Sequence, residues 1–269
     1  MESTLDRKHT GLHWEWLAFL PAGILLAAWL WFTPPGILGK MDAIAYAVCH
    51  RIAARSFRFD GTQFPLCARC TGMYLGAVLG LFYQRLQGRR GGMPSIKVFI
   101  VLGVLVVAFG IDGLNSYLHF FPNAPSLYVT TNWSRLLTGT GMGLALSAVV
   151  LPAFHQTMWL NWNERRTLGS WRQLGGLLLL AALMDALLLT QNPVVLYPAA
   201  VIGPLGILVI LTMVYAMVVV MLFKRENRFV SSRQLWLPLL AGFTVALLQI
   251  AMMDWGRFLL TGTWAGFNL

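Results

Sequence analysis

The residue types best able to do chemistry are concentrated in one stretch, residues 49–74. All three cysteines of the chain lie there, as Cys49, Cys67 and Cys70, and His50 follows the first of them. A Cys-x-x-Cys pair forms one half of many tetrahedral zinc sites, and a histidine often completes the ligand set. The pattern predicts a zinc site built from Cys49, His50, Cys67 and Cys70. Such a closed site would be structural, although adjacent ligands such as Cys49 and His50 are unusual.

A redox role for the same cysteines is the alternative. Cys67 and Cys70 flank Arg69 at the predicted start of a helix, and both features lower thiol pKa values. Outside the cytoplasm such a pair tends to oxidise, with Cys49 as the thiol that exchanges with the resulting disulfide. The spacing alone leaves metal binding and thiol–disulfide exchange open.

The composition is that of a membrane protein. Of the 269 residues 57% are hydrophobic and 11% are charged, and the mean hydropathy is +0.65, whereas soluble domains carry about 25% charged residues. The 20 Lys and Arg residues outnumber the 10 acidic ones, but they lie between apolar runs, where basic residues set the orientation of membrane helices. Nucleic-acid binding is therefore not expected, and the lipid bilayer is the predicted environment.

Seven apolar runs are long enough to cross a bilayer, which needs about 20 residues per helix. The predicted fold is an all-α bundle of about seven transmembrane helices forming one integral membrane domain, 1–269, with a short cytoplasmic tail, 1–13. The Cys/His/Arg segment, 40–74, lies between the first two spans, and its 41–54 portion is expected to be re-entrant or interfacial. The runs cover about 14–33, 69–86, 96–120, 134–155, 173–191, 198–223 and 235–260.

Charged loops predict the orientation. Lys and Arg occur in every second connection, whereas residues 121–133, 192–197 and 261–269 contain none. The positive-inside rule then places the N-terminus in the cytoplasm and the C-terminus and the Cys segment outside, in a prokaryotic cytoplasmic membrane. The Cys segment nevertheless holds several arginines, which suggests that they pair with acids or bind an anion.

Polar residues inside the spans suggest where that anion would bind. Ionisable side chains are costly in hydrocarbon and usually face a cavity or a partner. Together with two arginines of the Cys segment they predict one outward-facing polar cavity for an anionic small molecule or a lipid headgroup, and Asp112 and Arg135 are expected to form an ion pair. The predicted cavity residues are Arg55, Arg69, Asp112, Asn115, Asn132, Arg135, Asp185 and Asp254.

Small residues recur at helical spacing on two of the spans. Gly72, Gly76 and Gly80 lie four residues apart, as do Gly139 and Gly143. Glycines at this spacing let helix backbones approach closely, so these positions are predicted to be packing faces.

The Cys segment also resembles a known family. Cys49-His50, Arg55-Ser56-Phe57 and the run PLCARCTG at residues 65–72, followed by Asp112-Gly113, resemble an uncharacterised family of prokaryotic membrane proteins classed as a domain of unknown function. The resemblance covers roughly residues 45–145 and implies that the cysteines, Asp112 and Arg135 act as one unit. Members often carry Gln after the His and Pro-Glu before Arg-Ser-Phe, where this chain has Arg51 and Ala53-Ala54.

Three functions fit these observations. The first is a membrane protein whose Cys₃His segment holds zinc beside a cavity that binds or processes an anion. The second is a membrane thiol–disulfide oxidoreductase that uses Cys67 and Cys70. The third is an ion-coupled transporter, for which the intramembrane aspartates would suit ion coupling but paired halves with broken helices are not evident. Both an enzyme and a binding protein are compatible with the first.

Overall fold

A computed structural model describes residues 19–59, 61–121 and 125–266 as a helical bundle. The predicted tail 1–13 lies outside the described residues. The fold class predicted from the sequence is confirmed, since long apolar helices make up most of the described chain. The helices are α1 (Phe19–Phe32), α2 (Gly36–Val48), α3 (Ala68–Arg85), α4 (Ile96–Leu118), α5 (Asn132–Met158), α6 (Trp171–Leu189), α7 (Pro193–Leu222) and α8 (Trp236–Thr261).

Five of these helices are long and apolar enough to cross a membrane: α4, α5, α6, α7, and α8 with the short 3₁₀ turn before it. A sixth span results if α1 and α2, which meet at 107°, are counted as one broken or re-entrant element. Pro34 and Pro35 fall at this break, where a helix cannot continue unbroken. The sequence predicted seven spans; α3, the remaining run, has only 18 residues and carries an arginine near each end.

The Cys segment contains a β-hairpin in addition to the expected helix. Strands β1 (Ser56–Phe59) and β2 (Thr62–Cys67) pair antiparallel. Their aromatic residues Phe57, Phe59 and Phe64 are buried and pack edge to face, a geometry that aromatic rings favour. This hairpin and α2 join one large apolar core, so the segment is a packed part of the bundle. A second small sheet pairs β3 (Arg90–Gly92) with β4 (Asn163–Arg166) in parallel.

Helices α3 and α5 pack at backbone distance through their glycines, as the spacing predicted. A Cβ at Gly139 would lie 2.1 Å from the carbonyl oxygen of Arg69, and one at Gly143 would lie 2.1 Å from that of Met73. On the other helix, a Cβ at Gly72 would lie 2.2 Å from the carbonyl oxygen of Leu136. Since no side chain fits at these positions, the contact fixes the first turn of α3 against the first turns of α5.

Local caps set where the spans begin. The side chain of Thr131 accepts a hydrogen bond from the Ser134 N–H in a capping box that starts α5, and Ser170 does the same for α6. Asn192 accepts from Val194 N–H at the start of α7, with Pro193 as its first residue. These residue types satisfy the free N–H groups of a first turn. The cap at Thr131 matters for the site, because it fixes the turn that presents Arg135.

Candidate metal centre

Three element boundaries bring the cysteines together. Cys49 directly follows α2, and its N–H still donates to the Ala45 carbonyl at 2.8 Å. Cys67 ends β2 and is the N-cap residue of α3, and Cys70 lies in the first turn of that helix. The hairpin returns the chain to α2, so that residues 18 positions apart in sequence meet. This arrangement explains why the C-x-x-C pair and the distant cysteine belong to one site.

The three sulfur atoms all lie within 4.8 Å of one another. Cys49 and Cys67 are 3% and 2% exposed, whereas Cys70 is partly exposed, and all three are free thiols. The backbone N–H of Cys67 also donates to the Cys49 sulfur at 3.3 Å. Three sulfurs converging at this distance can bind one thiophilic metal ion, and N–H donation to a thiolate is a common outer-shell feature of such sites.

The hydrogen bonds within the trio shift the thiol pKa values in opposite directions. The Cys67 and Cys70 thiols donate towards Cys49 and hold the pKa of Cys49 well below its ordinary value, against the opposing effect of burial. The same hydrogen bond to Cys49 raises the pKa of Cys67 to about 12, and burial also contributes. Metal ligands must be thiolates, so the lowered pKa of Cys49 favours metal binding, and binding would release the protons of the thiols that are still protonated.

His50 does not join this group, which corrects the predicted Cys₃His set. Its Nδ1 atom lies 3.8 Å from the Cys49 sulfur, but the metal-competent cluster among the described residues contains the three cysteines only. Arg257 donates to the backbone carbonyls of Cys49 and His50 at 2.5 and 3.2 Å. These hydrogen bonds fix the backbone at Cys49 and His50. A fourth ligand would have to come from elsewhere.

A polar network surrounds Asp112 beside the thiols, and its arginine partner differs from the predicted one. Asp112 is fully buried and forms an ion pair with Arg69, whose Nε donates to Oδ2 at 3.2 Å. The Tyr128 hydroxyl donates to Oδ1 at 2.7 Å. The expected ion pair of Asp112 with Arg135 is therefore wrong. The carboxylate pairs instead with Arg69, which lies in the first turn of α3.

Arg135 and Arg55 have neutral hydrogen-bond partners instead. Arg135 is only 8% exposed and donates to the Thr130 hydroxyl at 2.5 Å and to Oδ1 of Asn132 at 3.1 Å. Arg55 donates to the Ser116 carbonyl at 3.0 Å, and its guanidinium lies 4.1 Å from the ring centre of Phe120. Among the described residues neither forms an ion pair, which leaves two guanidinium charges without a carboxylate.

Electrostatic effects connect the arginines to the thiols. Burial, followed by the charge of Arg69, lowers the pKa of Arg55, whereas the charge of Cys67 raises it. Three guanidinium groups that repel one another therefore lie close to the sulfur cluster, with Asp112 as their acidic partner. Such a region attracts an anion, whether a metal–thiolate centre or a ligand. We call Arg55, Arg69, Arg135 and Asp112 the arginine cluster.

The predicted cavity residues divide into three places. Asn115 holds the loop after α4 by donating to the Tyr128 carbonyl at 2.7 Å and accepting from the Leu127 N–H, so it belongs with the arginine cluster, as does Asn132. Asp185 instead accepts from the Thr140 hydroxyl at 2.7 Å. Asp254 accepts from the Trp29 indole at 3.1 Å. Among the described residues, Asp185 and Asp254 thus have partners other than the arginine cluster, and one cavity for all the predicted residues stays a prediction.

Two residues that contact the site were not predicted from the sequence. Tyr128, in the loop between α4 and α5, donates to Asp112, and Arg257 on α8 fixes the backbone at Cys49. A tyrosine in an irregular loop carries no periodic signal. Arg257 lies one turn after Asp254 on α8, and spacing within a helix does not reveal that its guanidinium reaches another chain segment.

The chain is similar to known proteins in the region that contains this site. The family model described as "Predicted membrane protein (DUF2085)" matches residues 49–149, the region that contains the three cysteines and the arginine cluster. An uncharacterized protein of Methanothermobacter thermautotrophicus is 33% identical over 106 residues, which is 39% of this chain and 86% of that relative. Another, from Methanocaldococcus jannaschii, is 26% identical over 121 residues, or 44% of this chain and 70% of the relative. No solved structure matches the chain significantly.

Proposed function

Since this chain belongs to the family of predicted membrane proteins that the model describes, we propose that it is an integral membrane protein that holds one metal ion, zinc in the first place, on Cys49, Cys67 and Cys70. The arginine cluster binds an anionic small molecule or lipid headgroup beside that ion. The observation that carries the proposal is the convergence of the three sulfurs within 4.8 Å. The 106 residues aligned with the first relative make up 86% of that protein. This supports a function carried by a unit of about that length.

Three thiolates leave one position of a tetrahedral ion to a fourth ligand. Tetrahedral zinc with three protein ligands and an open position is the arrangement of catalytic sites, whereas four protein ligands make a structural site. A cluster of three cysteines without His50 therefore favours an ion that can accept an external ligand. A zinc ion with three thiolates carries one net negative charge, which would offset one of the two positive charges on Arg55 and Arg135 and leave the other for an anion.

The same guanidinium groups supply the anion site. Arg69 is neutralised by Asp112, so Arg55 and Arg135 contribute the uncompensated charge. Planar guanidinium groups bind carboxylate and phosphate oxygens in pairs. A phosphate or carboxylate is the class of anion that these two arginines would hold, and a zinc ion on the cysteines would supply Lewis-acid chemistry.

The metal part is tested by ligand replacement. Cys49→Ser, Cys67→Ser and Cys70→Ser should each lower bound zinc by most of an equivalent and destabilise the fold, because each opens the coordination shell. His50→Ala is the matched control, since it is the neighbouring residue and should leave zinc content unchanged. Equal loss of zinc in all four variants would mean that His50 is a fourth ligand. No loss of zinc in any variant would contradict the proposed metal site.

The anion part has its own control within the same segment. Arg135→Gln and Arg55→Gln should each weaken the binding of inorganic phosphate about tenfold or more, the effect of losing a charge-assisted hydrogen bond. Arg58 is exposed on β1, and Arg58→Gln should leave phosphate binding unchanged. Calorimetric titration of each purified variant with phosphate measures the affinity. Equal phosphate affinity in the three variants would contradict an anion site at Arg55 and Arg135.

A thiol–disulfide oxidoreductase is the second candidate, favoured by the lowered pKa of Cys49 and the partial exposure of Cys70. In that reaction Cys67 and Cys70 are oxidised to a disulfide while a disulfide of a partner protein is reduced to two thiols. The reduced protein would then contain no stoichiometric metal, and the Cys67–Cys70 couple would change oxidation state with little change in melting temperature.

A further inference from the structure

A cavity of about 550 Å³ lies between α1 and α8, away from the thiols. Its walls are almost wholly apolar and aromatic, and its residues lie outside the segment that matches the family model. Three tryptophans line it, Trp29, Trp255 and Trp264, and Asp254 is its acidic residue. Its size is in the range of pockets that bind small organic molecules.

Asp254 lines this cavity and has one unsatisfied carboxylate oxygen. The side chain is 3% exposed, and Oδ2 accepts from the Trp29 indole, but Oδ1 has no hydrogen-bond partner. A buried carboxylate oxygen without a donor is costly in a membrane and marks a functional position. Arg257, one turn further along α8, does not line this cavity and donates to the carbonyls of Tyr46 and Cys49 at 2.6 and 2.5 Å.

Lys40, which lies beside Trp29, has hydrogen-bond partners other than Asp254. The Lys40 ammonium donates to the carbonyl and hydroxyl oxygens of Thr33 at 2.9 Å and lies 5.9 Å from the ring centre of Trp29. It therefore does not satisfy Asp254. Its position also indicates that the electron-rich face of this indole tolerates a cation, as aromatic rings generally do.

The rim of the cavity faces outward from the bundle. Phe32, Trp255 and Leu259 are 77%, 68% and 68% exposed, and large apolar side chains with this exposure on membrane helices contact lipid. A ligand can therefore enter sideways from the bilayer. Such a ligand needs a hydrocarbon body to contact the apolar walls and one N–H donor for Oδ1 of Asp254.

We propose that this cavity binds an amphiphile with a protonated primary amine head and a hydrocarbon tail, which donates a hydrogen bond to Oδ1 of Asp254 between the three tryptophans. Charge complementarity selects the amine, and the apolar walls select the tail. The residues that line the cavity differ from those of the metal centre, so the two sites can be tested by separate substitutions.

The test uses dodecylamine and dodecanol, which share a chain length and differ in the head. The full-length protein in phosphatidylcholine nanodiscs near neutral pH is titrated with each, and binding is followed by the shift in melting temperature. Wild type should bind dodecylamine about tenfold or more tightly than Asp254→Asn does, since the charge-assisted hydrogen bond is lost. Asp185→Asn is the matched control, a second buried intramembrane aspartate that does not line the cavity, and should behave as wild type.

Two results would overturn the proposal. One is equal dodecylamine binding by wild type and Asp254→Asn; the other is equal binding of dodecanol and dodecylamine by wild type, which would mean a neutral Asp254. If Asp254→Asn does not fold, the comparison of the two ligands on wild type still decides. Trp255→Leu, at an exposed position, should then weaken dodecylamine binding about threefold through loss of the aromatic face, and no change would count against the proposed head-group position.

Discussion

Asp112 is the residue on which the polar network beside the thiols depends. Its carboxylate accepts from Arg69 and Tyr128, and from the Ser134 hydroxyl at 3.3 Å. A buried carboxylate is tolerated when its partners satisfy both oxygens, and removing one partner leaves an uncompensated charge. The network thereby ties α4, which carries Asp112, to the first turns of α3 and α5.

The Arg69–Asp112 pair gives the first prediction. Asp112→Asn and Arg69→Gln should each destabilise the protein by about 3–5 kcal/mol, and the double variant should lose less than the sum of the two, because the second change removes a charge that the first had stranded. Thermal unfolding in detergent measures the three values. Asp112→Asn combined with Arg135→Gln is the control and should be closer to additive; a larger coupling with Arg135 than with Arg69 would contradict the observed pairing.

At the scale of elements, the contact of α3 with α5 determines where the site residues lie. Arg69 and Cys70 occupy the first turn of α3, and the glycines of α5 allow the backbones to touch there. The same close contact that packs the two helices therefore positions a thiol and a guanidinium. Packing and site geometry cannot be changed independently at this point.

Gly139→Ala should therefore affect both stability and metal content. Its Cβ would lie 2.1 Å from the Arg69 carbonyl oxygen, so the helices must separate, at a cost of about 1–3 kcal/mol typical of overpacking. Gly110→Ala on α4 is the control, because nothing lies within 4 Å of its Cβ, and it should be neutral or slightly stabilising. Melting temperature and bound zinc are the two measurements, and a Gly139→Ala protein with unchanged values of both would refute the link.

The elements also show what a sequence can and cannot reveal. The α3–α5 glycine faces were predictable, since spacing on a helix directly gives a face. The hairpin before Cys67 was not, because its strands have only four and six residues and the second contains a proline. Spacing placed Asp112 and Arg135 on inward faces, but which helix each face meets depends on packing, and so Arg69 was missed as the partner of Asp112. The three thiols meet as predicted, whereas His50 lies outside their cluster.

At the scale of the whole molecule, orientation in the membrane is the prediction still to be tested. The positive-inside rule places the loop between α4 and α5 outside and the basic connection between α7 and α8 inside. Cys49 and Cys67 are buried and are poor reporters, so introduced thiols are needed. Ser126 and Arg228 are exposed positions in these two connections.

A membrane-impermeant thiol reagent applied to intact cells should label Ser126→Cys and leave Arg228→Cys unlabelled until the cells are opened. The unaltered protein is the control and gives the background from the partly exposed Cys70. Labelling of Arg228→Cys but not Ser126→Cys in intact cells would invert the orientation and place the thiols in the cytoplasm.

The central claim is that the three cysteines hold one metal ion, and metal analysis of anaerobically purified protein together with a thiol count tests it most directly. The thiol count establishes that Cys49, Cys67 and Cys70 are reduced, so that oxidation cannot account for missing metal. The account predicts about one equivalent of metal, mainly zinc, lost on acidification as protons compete for the thiolates. Less than about a tenth of an equivalent of any metal in folded protein with all three thiols reduced would contradict it, since ligated structural or catalytic zinc is held stoichiometrically.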